Sequence, residues 1–215
     1  MKLSSTEFET RYGENRLKIA FVGMSNIGKS YTAARLSKTH NFQLVEIDKL
    51  IWNELGQDSM TDFAKWQGQP YTKGYAEREA TSIQLETMAT RKAITAAAAN
   101  ALLDTTGSVI YVDDDVKAAL VENFLIVHIS AGKDDLDRLM EDYFALPKPL
   151  VWRGHYHKID EKTEHESILA CYPELLRSRK KAYEALADVT LASQFVLDAS
   201  TSMEDVFAAI KGALV

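Results

Sequence analysis

Cysteine is nearly absent: Cys171 is the only one in 215 residues. No intramolecular disulfide can form, so the core must hold the fold, and nothing points to an oxidising compartment. Positive charge is in deficit as well. The 25 Lys and Arg against 31 Asp and Glu leave a formal charge of −6 and a pI near 5.4. That balance argues against a broad phosphodiester-binding surface, and no nucleic-acid partner is expected. No apolar run approaches membrane-spanning length, and residues 1–16 lack the apolar stretch of a signal peptide. A soluble, cytoplasmic protein without membrane contact is expected, as a monomer or homodimer. Repeats are missing, and so is a linker that would divide the chain in two. No Asn-Lys-x-Asp segment offers guanine recognition.

What is present is concentrated in one octapeptide, Gly23-Met24-Ser25-Asn26-Ile27-Gly28-Lys29-Ser30. It matches the phosphate-binding pattern G-x-x-x-x-G-K-[ST] in full. Upstream, residues 17–22 (LKIAFV) are apolar on both faces, as a strand inside a parallel sheet should be. Downstream, residues 31–39 place Ala33, Ala34 and Leu36 at helical spacing. The glycines let successive amides of Ser25, Asn26, Ile27 and Tyr31 curl toward a phosphate, and the helix start aims its free N–H groups at the same anion. Lys29 supplies full charge to the β- and γ-phosphates, and the Ser30 hydroxyl can ligate Mg²⁺. ATP and Mg²⁺ are the expected cofactors.

The rest of the chain alternates. Residues 1–16 read as an arm or a short leading helix. Strands are expected at 42–47, near 102–104, at 124–129 and near 195–197. Helices are expected at 49–55, 76–101, 116–121, 134–143, 173–186 and 203–214. Alternation of this kind predicts an α/β fold: a parallel sheet of about five strands, flanked by helices in three layers. Residues 17–215 make one P-loop domain. The polar, aromatic stretch within 56–80 is long for a plain connection and predicts an acceptor-binding insertion. Residues 144–158, with proline and histidine, predict a lid.

Glu46 and Asp48 stand two apart at the expected end of the second strand, which would send both side chains to one face beside the phosphate loop. One could hold Mg²⁺ while the other orients or deprotonates an attacking hydroxyl; alternatively, Asp48 caps the helix starting at Lys49. Asp104, ending a strand, offers a metal role of its own. Asp113, Asp114 and Asp115 fit an acidic helix start. Without cysteine or ordered acidic partners, His155, His157 and His165 make a weak metal set, and a lid histidine near substrate suits them better.

With these residues in place, the chain resembles a shikimate kinase-type member of the nucleoside monophosphate kinase superfamily. Besides the loop, Glu46-Ile47-Asp48 stands where that family has Asp-x-Asp, and Thr106-Gly107-Ser108 where it has a triple-glycine turn. Lys148-Pro149-Leu150 resembles the lid's Arg-Pro-Leu, and Arg179-Lys180-Lys181-Ala182-Tyr183 with Ala187-Asp188 resembles Arg-x-Pro-Leu-Tyr and Ala-Asp. The resemblance implies that Glu46 helps hold the metal and that Asp48 positions the hydroxyl being phosphorylated. It implies that Gly107 lets backbone approach the substrate and that Arg179 binds an acidic group on it. Arg138 would stack on adenine, and Lys148 would close over the transferring phosphoryl group, with Arg153 near enough to substitute for the missing lid arginine. The chain departs from the family at the arginine preceding the glycine turn, where Ile83 or Gln84 stands. The expected activity is transfer of a phosphoryl group from ATP to a hydroxyl of a small acceptor. A nucleoside or nucleotide kinase and a non-catalytic nucleotide-binding regulator remain open alternatives.

Overall fold

A computed structural model describes residues 3–132, 135–145 and 148–214. The expectations made for residues 1, 2, 134, 146, 147 and 215 lie outside them.

Strand β1 (Lys18–Val22) is buried along almost its whole length, as its uninterrupted apolar run requires of a central strand. It pairs in parallel with β3 (Ala101–Asp104) on one side and β4 (Leu125–Ser130) on the other. The outer strands are β2 (Gln43–Glu46) and β5 (Val189–Ala192), so the sheet has five parallel strands in the order β2-β3-β1-β4-β5. Helices flank it, giving the expected three-layer architecture. The register sets Glu46 beside Asp104 and Phe21 beside Asp104, which gathers acidic side chains at the carboxyl end of the sheet. No helix among the described residues is long and apolar enough to cross a membrane.

The leading segment is a helix, α1 (Ser5–Gly13), started by a capping box between Ser4 and Glu7. It is docked against α10 (Met203–Gly212): Phe8 is fully buried with its ring 5.0 Å from Phe207, a burial that contributes about 1.5–3 kcal/mol. The Ser5 hydroxyl bonds the Lys211 and Leu214 carbonyls. Helix α2 (Lys29–Thr39) follows the loop, α3 (Ile47–Glu54) follows β2, and α4 (Met60–Gln67) occupies the expected insertion, capped by Ser59. The acidic run starts α6 (Asp114–Asn123), although Asp113 makes no side-chain cap; Asp114 pairs with Lys117 and Asp115 with Arg91.

Three expected elements are corrected. The long alanine-rich helix is α5 (Tyr75–Ala96), not 76–101. Helix propensity favours continuation through the alanines, but Asn100 opposes it: its Oδ1 accepts from the Leu17 N–H at 2.7 Å and its Nδ2 donates to the Tyr12 carbonyl at 3.0 Å. That anchor feeds Ala101 into the sheet. The helix expected from Pro173 begins nine residues earlier, as α8 (Glu164–Leu186), with a Thr163/Glu166 capping box and Pro173 inside it. An interior proline removes one helical bond, which burial of Ile168, Cys171, Tyr172, Leu175 and Leu176 offsets. The last strand is not at 195–197: residues Ser193–Leu197 form the short helix α9, and the weaker-looking alternating Val189–Ala192 makes the edge strand. Helix α7 (Asp135–Ala145) runs into the first two residues of the expected lid, and residues 148–163 carry neither helix nor strand.

Replacing Asn100 by alanine should cost about 1–3 kcal/mol in urea unfolding, because the buried Leu17 N–H loses its partner and the Tyr12 carbonyl keeps only the Asn15 N–H. A loss below about 0.5 kcal/mol, the scatter of ordinary surface substitutions, would contradict this anchor.

Candidate active site

At the carboxyl end of the sheet the chain turns from β1 into the phosphate loop. Gly28 stands at φ +105° as the N-cap of α2, and a Cβ there would meet the Leu197 side chain at 3.0 Å. Asn26 is also left-handed, at φ +61°. Its carbonyl accepts from Arg138 Nη1 at 2.9 Å, and Arg138 is held in turn by Asp135 and Asp142. The Lys29 side chain is buried and donates to the Gly23 and Met24 carbonyls at 2.9 and 2.8 Å. Burial pulls its pKa down to about 8, against the opposing pull of Asp104 and Asp48.

These residues border a cavity of about 420 Å³. From the loop, α2 and α7 it is lined by Ser25, Asn26, Gly28, Lys29, Ser30, Tyr31 and Arg138; from α3, α4 and α5 by Asp48, Ile51, Met60, Phe63, Gln67, Ser82 and Glu86. Thr106, Gly107, Ser108, Asp142, Lys148, Pro149, Val151, Arg179 and Leu197 complete the wall. Gly107 is a true close approach: a Cβ would lie 3.1 Å from Ser25 Oγ and 3.2 Å from Arg179 Nη1.

The acids divide differently from the sequence expectation. Strand β2 stops at Glu46, and Asp48 lies in the first turn of α3. The pair therefore does not leave one strand face, and Asp48 does not cap α3, whose N-cap is Glu46. Asp48 faces the cavity near Lys29, and burial pushes its carboxyl up to about 6, with Asp104 and Glu46 adding to the push and Lys29 and Lys148 opposing it. Glu46 does not line the cavity; its carboxylate pairs with Lys49 at 2.5 Å. Asp104 is likewise outside the cavity lining, but it is buried, shares a hydrogen bond with the lining Ser30 side chain, and has an Oδ1 with no partner among the described residues. Burial raises its pKa, with Lys29 and Ser30 opposing.

Arg179 lines the cavity from α8; both Nη groups are engaged, while the buried Nε has no partner among the described residues. Nη1 donates to the Gly107 carbonyl at 2.9 Å and Nη2 to the Val151 carbonyl at 2.6 Å, with the Tyr111 ring 5.5 Å away. Tyr183 donates to the same Gly107 carbonyl. Arg153 is outside the cavity lining, its guanidinium 5.7 Å from the Tyr111 ring. The histidines lie off the cavity too: His157 touches Cys171, and His165 packs on Phe144. The expected lid is pinned at its base. The Leu150 carbonyl accepts from Gln67 Nε2 and the Tyr75 hydroxyl, and Glu79 accepts from the Trp152 and Arg153 amides.

Sequence reasoning missed Gln67, Ser82 and above all Glu86. Glu86 is buried; its oxygens accept from the Thr106 and Ser108 hydroxyls. Burial pushes its pKa up to about 7, with Ser108, Thr106 and Arg179 holding it down and Asp48 adding to the rise. The signal was the spacing of Ser82, Glu86 and Thr90 along α5, four residues apart. It reads as a polar stripe until the face is known to be buried.

No family signature and no curated protein sequence matches the chain. Solved structures do. The shikimate kinase of Bacteroides thetaiotaomicron superposes with a TM-score of 0.59 at 14% identity, over 92% of this chain and 94% of that one. The shikimate kinase of Aquifex aeolicus gives 0.58 at 16%, over 91% and 97%. That of Acinetobacter baumannii, solved with shikimate, gives 0.54 at 17%, over 95% and 92%. With its strand order, loop and cavity, this chain has the P-loop kinase fold seen in shikimate kinases.

Proposed function

We propose that the protein is an ATP- and Mg²⁺-dependent small-molecule kinase, transferring the γ-phosphoryl group of ATP to a hydroxyl of a small acceptor. One observation carries this reading. The phosphate loop opens into the same cavity as Asp48 and a second, hydrogen-bonding wall from α4 and α5, so there is room for an acceptor opposite the phosphates.

The residues fit the cofactor. The partnerless Asp104 Oδ1 beside Ser30 is a hard oxygen of the kind Mg²⁺ would use, alongside substrate phosphates. Ser30 and Asp104 would hold the ion, directly or through water, in preference to the ion-paired Glu46. Bound there, it would neutralise charge on the phosphates. The loop amides from Ser25 to Tyr31 bind the phosphate oxygens, and Lys29 exchanges its loop carbonyls for them. Asp48 accepts a hydrogen bond from the acceptor hydroxyl, aligns it and takes its proton as the bond to phosphorus forms. Lys148 lies where a cation can cover the transferring group and keep water out. Arg138 fixes Asn26 and borders the nucleotide side. Arg153 would reach the site only by leaving Tyr111. Phe63 alone of the aromatics at 63–75 lines the cavity among the described residues, one wall rather than a sandwich for a base, which favours a non-aromatic acceptor over a nucleoside.

An ADP-release assay with ATP, Mg²⁺ and a panel of polyols, hydroxy acids and nucleosides tests the reading; acceptor-dependent release is expected, and its absence across the panel would count against it. Lys29→Ala should lower turnover by at least about 10²-fold while circular dichroism stays native; full activity would sink the assignment. Asp48→Asn should lower kcat by about 10²–10⁴-fold with little change in ATP affinity. Because the working form of Asp48 is the carboxylate, kcat should fall as pH drops below about 6. An acid limb that persists unchanged in the residual activity of Asp48→Asn would assign the titration to another group.

A further inference from the structure

The acceptor side of the cavity carries a buried carboxyl, Glu86, that suits hydrogen-bond donors better than an acidic acceptor. Resting on the kinase reading above, we propose that Glu86 is a specificity-determining residue: it selects a polyol that presents hydroxyl or ammonium donors, and it excludes carboxylate acceptors.

Glu86 is 2% exposed yet borders the cavity. Each of its oxygens accepts one hydroxyl, from Thr106 or Ser108, and a carboxylate oxygen can accept two hydrogen bonds. Among the described residues no cation forms an ion pair with it. A buried carboxylate held in this way is half-satisfied, and donors from a ligand would complete it. The cation best placed to receive an acidic substrate, Arg179, has both Nη groups on the Gly107 and Val151 carbonyls and a ring at its face. Its Nη edge is therefore tied to backbone carbonyls, and only the buried Nε is left without a partner among the described residues, so a carboxylate would have to displace a carbonyl to be bound bidentately. Lys29 and Lys148 face the phosphate side in the proposed mechanism. An acceptor carboxylate would meet Asp48 and Glu86 together, with like-charge repulsion wherever both are ionised, and only the single Nε of Arg179 to pair with in return. A polyol meets the reverse: donors for Glu86, and Ile51, Met60 and Phe63 for the C–H face of a ring. The position expected to hold a substrate-binding arginine is Ile83 or Gln84, and neither lines the cavity.

The test uses matched acceptor pairs with the full-length protein, ATP and Mg²⁺: shikimate against its methyl ester, gluconate against glucitol, and glucuronate against glucose and glucosamine. Products are identified by mass spectrometry, and kcat/KM is corrected for hydrolysis. The wild type should favour the uncharged or amino member on the order of a hundredfold. In Glu86→Gln this ratio should shrink about tenfold or more; Glu86→Asp, which keeps the charge, should retain it while turning over the favoured acceptor more slowly. Equal or better use of the carboxylate member by the wild type would overturn the inference and leave the kinase reading standing. An unchanged ratio in Glu86→Gln would remove Glu86 as its cause. No transfer to any acceptor, with MgATP binding intact by calorimetry, would defeat the kinase reading and this inference together.

Discussion

A cation buried before its ligand arrives governs this site. Lys29 is held out of water at the end of β1, where the loop carbonyls of Gly23 and Met24 take its protons and Asp48 and Asp104 supply opposing charge. Burying an ammonium is expensive unless it is paired and hydrogen-bonded. The sheet register that sets Asp104 beside Phe21, the left-handed Gly28 and the first turn of α3 all serve to place those partners. The arrangement is tense rather than relaxed: burial drives Lys29 toward the neutral amine and Asp48 and Asp104 toward the neutral acids. A polyphosphate with its metal resolves both tendencies at once, since it brings negative charge to the lysine and positive charge to the acids.

Arg179 plays a matching part on the acceptor side. From one buried position on α8 it ties the turn at Gly107 to the lid base at Val151. Gln67 and Tyr75 hold the neighbouring Leu150 carbonyl, so the lid base, the insertion helix α4 and α5 meet at one hydrogen-bonded joint. An acceptor lying against Gln67, Ser82 and Glu86 would press on that joint directly. In the proposed mechanism, the wall facing the acceptor would thus be physically continuous with the segment that would close over the phosphates, a continuity suited to ordered closure around both substrates.

What could be read from the sequence follows the range of the forces involved. The phosphate loop is a local motif whose glycines, lysine and serine do their work within eight residues, and β1 and β4 are continuous apolar runs; these were legible. Helix ends decided by distant partners were not. Asn100 ends the alanine run through bonds to Leu17 and Tyr12, more than eighty positions away in sequence, and no propensity contains that information. Pro173 looked like a helix start because the Thr163/Glu166 capping box upstream was not given its weight. Asp48 was found for a positional reason that failed, since it belongs to a helix rather than a strand. Glu86 was invisible because a glutamate among alanines and threonines on a long helix looks like solvent-facing surface. Only the tertiary packing of α5 against α3 and α6 turns that stripe inward.

The central claim is that Lys29 waits in a desolvated site for phosphate. Lysine-labelled protein followed by side-chain NMR would measure its titration directly, without and with MgATP. In the free protein Lys29 should titrate near 8 rather than its ordinary 10.5, and nucleotide should move it upward as phosphate stabilises the ammonium. An ordinary value in the free protein, or no response to MgATP, would contradict the account.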